Sequence, residues 1–383
     1  MTQTRTATGH VETGFEPVID AFLTGISPEP SGAALSLWID GREVVNVWAG
    51  LADAEARTEW SADTVSAMFS VSKGLSAIVI GRLVDAGLLD LDAPIASVWP
   101  EFGAHGKGAV SIGDALAHRA GVSAPRDDLE LSDLADTRSW AARLAAQEPL
   151  WAPGEAYSYH ALTYGTIADE IVWRTTGRTL IEVFDEEIAA PLGADVSFAA
   201  DKGMLARRTR LTTSPEWDRL AVGDGTSETD WALRALTLGG SFPPALVVGD
   251  RGFNDPAVAS AGLPAATALG TASAVARIWS AVVTPTLGHR LLSDEAIEAL
   301  LRVRSSGAAV FGAAAPYPAW GAGVQVASPG VPHLSPSFLG HGGAGGQAGF
   351  GDLTFRVGIG YCRNRLDIVD AMPPIYEALR PLL

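Results

Sequence analysis

The heptapeptide Met68-Phe69-Ser70-Val71-Ser72-Lys73-Gly74 decides how this chain is read. It ends a β-rich stretch and opens an apolar run, Gly74-Leu75-Ser76-Ala77-Ile78-Val79-Ile80, which predicts a helix from near Ser70 to about Ala86. Side chains three apart on a helix share a face, so Ser70 and Lys73 stand one turn apart. A serine hydroxyl is a weak nucleophile until a neighbouring base activates it. Lysine can supply that base when desolvation strips its proton; arginine effectively cannot. The chain has three lysines (Lys73, Lys107 and Lys202) against twenty-four arginines. A lysine heading a buried helix therefore has a chemical reason to be there. Ser72 reads as a helix-start serine.

The 383 residues suffice for a large core and about two domains, and 47% hydrophobic with 19% charged residues describes a folded protein. A net charge of −17 disfavours nucleic acid and anionic membranes as partners. Cys362, the single cysteine, sits in an apolar run and reads as a core residue. No signal-like leader and no run of about 18 apolar residues is visible, so the expected location is the cytoplasm. Nothing in the sequence sets an oligomeric state.

Apolar spacing predicts a helix over Val11–Leu23, and Asp40-Gly41 between two β-rich runs predicts a hairpin. Residues 88–101 form a proline-punctuated connection. Helices are expected over Ser139–Gln147 and over Leu162–Thr176, the latter closed by Gly177. Residues 203–264 read as loops with short helices that line a pocket. Helices follow over Ala265–Val283 and Ser293–Arg302, then strands over Trp320–Ala327, Gly346–Phe350 and Phe355–Cys362, and a helix over Pro374–Leu382. Strands at both ends around a helical middle give an α+β fold: an antiparallel sheet flanked by helices and built from both termini (1–95 and 265–383), with a mainly helical domain inserted (96–264).

Two further stretches carry chemistry. Pro153-Gly154-Glu155-Ala156-Tyr157-Ser158-Tyr159-His160-Ala161 places two of the six tyrosines before a helix. A phenol needs a nearby cation to act as a base at neutral pH, and Lys73 can supply one. Leu339-Gly340-His341-Gly342-Gly343-Ala344-Gly345-Gly346 falls between strand-like runs; its glycines let a substrate approach the backbone, whose N–H groups can hold an oxyanion. Its formal match to a dinucleotide fingerprint is rejected, because a strand and not a helix follows.

Together the three stretches resemble the serine β-lactamase-like fold of class C β-lactamases and penicillin-binding proteins, and most of all the family VIII carboxylesterases. Ser70-Val71-Ser72-Lys73 matches the Ser-x-x-Lys motif. Tyr159, five residues after Gly154, matches the second motif, although Ala161 replaces the asparagine of Tyr-x-Asn. His341-Gly342-Gly343 stands where β-lactamases carry Lys-Thr-Gly. The resemblance implies Ser70 as nucleophile, Lys73 and Tyr159 as general base and acid, and the backbone N–H groups of Ser70 and Ala344 as oxyanion hole. Substrate-binding candidates are His341, Gly342, Gly343, Trp231 and Phe242. His118 is expected to hold a loop. Which of Lys73 and Tyr159 takes the serine proton stays open here.

The expected function is hydrolysis of small carboxylic esters, with short acyl chains, through an acyl-Ser70 intermediate without metal or cofactor. The neutral histidine and the missing asparagine both favour an uncharged ester over a penicillin. The alternatives are a β-lactamase, D-aminopeptidase, amide hydrolase or acyltransferase of the same fold, or a non-catalytic binding protein. The complete Ser70, Lys73 and Tyr159 set argues against the last. Other hydrolase classes are excluded by motif: no Gly-x-Ser-x-Gly and no His-Glu-x-x-His occurs.

Overall fold

The computed structural model describes residues 6–134, 136–222, 230–312 and 314–383. Its large antiparallel sheet has nine strands. In chain order they are β1 (Thr8–Val11), β2 (Gly32–Ile39), β3 (Arg42–Asp53), β4 (Thr58–Glu59), β5 (Ala319–Trp320), β6 (Gln325–Val326), β7 (Phe338–Gly343), β8 (Gln347–Asp352) and β9 (Val357–Arg363). The spatial order is β1-β3-β2-β9-β8-β7-β6-β5, with β4 on β3. N-terminal and C-terminal chain meet where β9 pairs with β2, Ile359 opposite Leu37. The β2–β3 hairpin turns at Asp40-Gly41, as its sequence predicts, with both residues at positive φ.

Five helices matter for the site and its support: α1 (Glu16–Thr24), α2 (Val71–Asp85), α3 (Thr163–Thr176), α4 (Ala272–Val283) and α5 (Met372–Leu379). On one sheet face, Phe22 of α1 and Ile375 and Tyr376 of α5 join Tyr361 and Phe350 in a single apolar cluster. The other face carries α4 and, beside it against β7 and β8, α2; a Cβ on Gly349 would meet Val71 of α2 at 2.6 Å and Val275 of α4 at 2.8 Å. Helix α2 is apolar nearly all round and runs through the interior, which suits a helix hydrophobic on every face.

The seam between α4 and the sheet is made of glycine. A Cβ on Gly360 would lie 2.0 Å from the Ala272 carbonyl oxygen, and one on Gly358 would lie 2.2 Å from that of Ala276. Two residues apart, these glycines point to the same face of β9. The helix backbone thus rests on the strand with no side-chain layer between them.

Four predicted elements differ. The run 320–327, read as one strand, is a hairpin of the two short strands β5 and β6, with Ala319 opposite Val326. The apolar spacing over Val11–Leu23 covers two elements: Thr8–Val11 pairs with the edge of β3, and the helix starts only at Glu16, where Pro17 occupies its first turn. The run Ala265–Val283 is helical only from Ala272, where the Thr271 side chain accepts from the Ala274 N–H at 3.1 Å. Before it, Leu269–Gly270 joins Ser66–Ala67 and Val196–Ser197 in a small sheet. Finally, His341-Gly342-Gly343 lies within strand β7, and only Ala344–Gly346 form a turn. Glycine is poor in strands, but here a Cβ on Gly343 would meet the Met68 carbonyl oxygen at 2.5 Å. The remaining predicted helices appear within a few residues of their expected ends, and residues 203–264 do form short helices and loops, of which 223–229 lie outside the described residues.

The glycine seam makes a prediction. Gly360→Ala should cost on the order of 3 kcal/mol, because the added methyl meets backbone and cannot be accommodated by a rotamer change. Gly103→Ala, whose new Cβ would find its nearest neighbour at 3.5 Å, should cost under about 1 kcal/mol. Urea unfolding midpoints of the two variants test this.

Candidate active site

Ser70 sits at the cap of α2, immediately after Phe69, whose φ is +46°. A bulky residue in the left-handed region stores roughly 1–3 kcal/mol of strain and needs support from its surroundings. The support is aromatic: the Phe69 ring packs on Phe253 at 4.6 Å, and Phe253 stacks on Phe242 at 5.3 Å. The Ser72 hydroxyl accepts from the Ala268 N–H at 3.0 Å, and the Met68 N–H donates to the Ala268 carbonyl at 2.8 Å. Ser72 is thus a long-range tether of the turn that carries Ser70, not merely a helix-start serine.

The Lys73 side chain is fully buried beneath Ser70. Its Nζ lies 2.6 Å from the Ala161 carbonyl oxygen, 3.0 Å from that of Ala265 and 3.1 Å from Ser70 Oγ. No carboxylate pairs with it among the described residues. Burial holds its ammonium well below the ordinary lysine range. Tyr159 comes from the extended stretch ahead of α3 and places its hydroxyl 2.8 Å from Ser70 Oγ. Burial pushes the phenol above its usual value, and the hydrogen bond to Ser70 only partly offsets this. Tyr157, the other tyrosine of that stretch, points elsewhere and donates to the Gly307 carbonyl at 2.5 Å. Ser70 and Tyr159 are both half-buried, so a substrate can reach them while Lys73 forms the floor.

Strand β7 reaches the site because α2 carries Gly74 there. A Cβ on Gly74 would lie 2.8 Å from the Trp279 ring and 3.3 Å from the Cβ of His341. The His341 Nδ1–H donates to the Gly342 carbonyl at 2.5 Å, which leaves Nε2 an acceptor. That Nε2 is buried without a partner among the described residues. Burial, helped by the neighbouring Lys73 charge, lowers the imidazole to about 3. The Gly342 N–H donates to Gln325 Oε1 at 2.8 Å. Among the described residues, the N–H groups of Ser70 and of Ala344 donate to no protein acceptor.

An aromatic cage encloses Tyr159. Trp320 stacks on it at 5.1 Å and His118 meets it edge-on at 4.8 Å. The His160 N–H donates to His118 Nδ1 at 3.2 Å, so His118 holds the very stretch that carries Tyr159. Burial keeps both imidazoles neutral, His160 down at about 4. Trp231 sits farther out, at the head of a short helix, packed with Tyr159 on the same alanine cluster. Phe242 is buried beneath Phe253 and backs the nucleophile turn without surfacing in the cleft.

Trp320 and the Ala161 and Ala265 carbonyls were invisible in the sequence. A backbone carbonyl has no residue-type signature, and Trp320 is one of eleven tryptophans. The scarcity of lysine was a weaker signal than it looked: Lys107 is buried too, held by the Ala104 and Gln147 carbonyls and lowered to about 8, with no part in this site. Cys362 is buried as expected. No helix is long and apolar enough to cross a membrane, and no His, Cys, Asp or Glu cluster suited to a metal occurs among the described residues.

The family model described as Beta-lactamase matches residues 26–376. The chain belongs to the Beta-lactamase family. Within it, the chain is similar to Esterase/beta-lactamase LipL of Mycobacterium tuberculosis, 33% identical over 345 residues that cover 88% of this chain and 77% of LipL. A crystal structure of a family VIII carboxylesterase superposes with a TM-score of 0.86 at 30% identity, covering 99% of this chain and 100% of the other. A penicillin-binding protein homologue from Caulobacter crescentus superposes at 0.83 with 29% identity, over 98% and 99% of the two chains. This Beta-lactamase family member is accordingly a serine hydrolase of that fold.

Tyr159→Phe should slow covalent labelling of Ser70 by a fluorophosphonate on the order of a hundredfold, the usual worth of a positioned proton donor or acceptor. Tyr157→Phe should change it by less than about threefold, since that hydroxyl serves only the Gly307 loop. Stopped-flow or gel-based labelling rates distinguish the two tyrosines.

Proposed function

We propose that this chain is a carboxylesterase that cleaves small, uncharged, short-chain esters through an acyl-Ser70 intermediate, with no cofactor, in the cytoplasm. The observation that carries the mechanism is the surroundings of the Lys73 amine. A neutral amine has two N–H donors and one lone pair. The Ala161 and Ala265 carbonyls at 2.6 and 3.0 Å accept the two donors. The lone pair is left for the third neighbour, the Ser70 hydroxyl at 3.1 Å. Lys73 is then the base for acylation. Tyr159, neutral because burial raises its phenol, is a donor to Ser70 Oγ.

Ser70 Oγ attacks the ester carbonyl and its proton passes to Lys73. The developing oxyanion lies against the Ser70 and Ala344 N–H groups, at the positive end of α2. The intermediate collapses as the alkoxide takes the Tyr159 proton, and Lys73 returns a proton to the tyrosinate. Water attacks the acyl carbon, gives its proton to the same pair, and the acid leaves with Ser70 restored. Gly342 and Gly343 border the acyl group, and Trp231 lies at the rim on the leaving-group side.

The choice of ester over β-lactam rests on His341. An imidazole lowered to about 3 carries no charge at neutral pH and gives a substrate carboxylate no counter-ion. The name Esterase/beta-lactamase borne by LipL keeps β-lactam hydrolysis as the second reading.

Wild type should hydrolyse p-nitrophenyl butyrate and Ser70→Ala should not, with kcat/KM at least about a hundredfold above that for a carboxylate-bearing cephalosporin. A cephalosporin turned over as fast as the ester would favour the second reading. Burial favours the neutral Lys73 amine, so kcat/KM should fall as pH drops through the lowered lysine value. Tyr159 is raised above about 10, so no descending limb should appear below that pH. His341 and His160 lie at about 3 and 4 and His118 is also lowered by burial, so comparison with Lys73→Ala assigns any inflection of the profile to the lysine. A flat profile from pH 5 to 9 that Lys73→Ala leaves unchanged in rate would rule lysine out as the base.

A further inference from the structure

The turn Gly343–Gly346 joins β7 to β8 and carries Ala344. It closes with the Gly346 N–H donating to the Gly343 carbonyl at 3.1 Å. Gly345 and Gly346 both have positive φ, +76° and +100°. The single methyl of Ala344, packed against the core, is the only side chain of such a turn, and glycine gives the rest of its backbone the widest freedom. Yet an oxyanion donor must be held to within a few tenths of an ångström of its productive position. Something outside the turn has to supply that constraint.

The structure assigns that role to Arg363, at the end of β9: we propose that Arg363 is the positioning residue of the oxyanion turn, acting through Gly345 on the Ala344 N–H. Its side chain is 7% exposed and forms no ion pair among the described residues. Its Nε–H donates to the Gly345 carbonyl, one peptide from Ala344, in a short hydrogen bond. Its Nη2 donates to the Val369 carbonyl at 2.8 Å and, more weakly, to that of Asp367 at 3.3 Å. The backbone of Arg363 is clamped in turn. Its N–H donates to Gln347 Oε1 at 2.8 Å and its carbonyl accepts from Gln347 Nε2 at 2.9 Å. A planar guanidinium with fixed donors suits this bridge, whereas a lysine point charge cannot span the same carbonyls.

The glycines fit around it. A Cβ on Gly346 would lie 2.4 Å from Arg363 Nη2, so glycine at 346 lets the guanidinium slot beneath the turn. A Cβ on Gly345 would lie 2.5 Å from the Leu366 side chain, so the far wall is equally close. Asp370 acts on Arg363 electrostatically but forms no direct ion pair with it among the described residues, and burying an arginine so loosely paired is costly. It is a poor way to gain stability and a good way to fix carbonyl groups in place.

The inference rests on the esterase reading and on Ala344 as an oxyanion donor. It predicts a defect in the chemical step and not in binding. Arg363→Lys should lower kcat for p-nitrophenyl butyrate by tenfold to a hundredfold, in the range set by losing part of one oxyanion donor, with KM within about twofold. Arg363→Ala should lose more and recover in part when ethylguanidinium is added. The decisive readout is the preference for p-nitrophenyl butyrate over its thiono analogue, since a thio-oxyanion gains little from N–H donors. That preference should shrink roughly tenfold in both variants and in Gly346→Ala, which displaces the guanidinium from the other side. A kcat within twofold of wild type in folded Arg363→Lys and Arg363→Ala would overturn the proposal. So would a fall in kcat with the oxygen-to-sulfur preference unchanged. Failure of all three variants to fold would overturn it as well, because the arginine would then hold the fold and not the turn. Absence of ester hydrolysis in wild type would instead remove the esterase reading beneath it.

Discussion

A buried amine without a counter-charge organises this molecule. Lys73 sits in the interior, and the cost of charging it there holds its ammonium well below the ordinary lysine range. Much of the surrounding architecture follows from that position. The chain must bring two carbonyls, Ala161 and Ala265, to an amine on the central helix, from segments 88 and 192 residues away in sequence. It must also keep carboxylates out, since one nearby acid would restore the ammonium. Gly165, where a Cβ would lie 2.6 Å from the Ala265 backbone nitrogen, belongs to the same requirement.

The three histidines near the site obey the same logic. Each has its tautomer set by backbone: His341 by the Gly342 carbonyl, His160 by the Ser158 carbonyl at 2.7 Å, and His118 by the His160 N–H. Each is held neutral by burial, so the cage around Tyr159 adds polar anchoring without adding charge. A cation there would oppose protonation of Lys73 and draw Tyr159 toward its ionised form. A neutral cage leaves the phenol a donor.

That Ser70, Lys73 and Tyr159 come together was legible because each belongs to a motif of residue types at fixed spacing along one element. The hairpin at Asp40-Gly41 and the helix closed by Gly177 were legible for the same reason, since local backbone geometry wrote them into the sequence. What escaped depends on distance across the fold. The Val11–Leu23 pattern hid a strand because an edge strand of four residues is decided by its partner and not by its own periodicity. The run from Ala265 looked helical because it is apolar throughout, while its actual course is set by Met68, Ser72 and Lys73. Phe242, read from the sequence as a substrate-binding residue, is instead buried against Phe253, which backs the strained turn at Phe69.

The contact of α4 with β9 has a consequence for how this sequence can change. Where side chains interlock, one residue can grow as its neighbour shrinks, and a core drifts through paired exchanges. Gly358 and Gly360 face carbonyl oxygens and amide groups, which every amino acid possesses alike. No replacement on α4 can make room for a larger residue on β9. The two positions are therefore cut off from compensation, and only a shift of the whole helix would release them. The opposite sheet face, where Phe22, Tyr361 and Tyr376 pack through side chains, retains that freedom. One sheet thus carries two surfaces of unequal evolvability, and the rigid one lies toward the helix that carries Lys73.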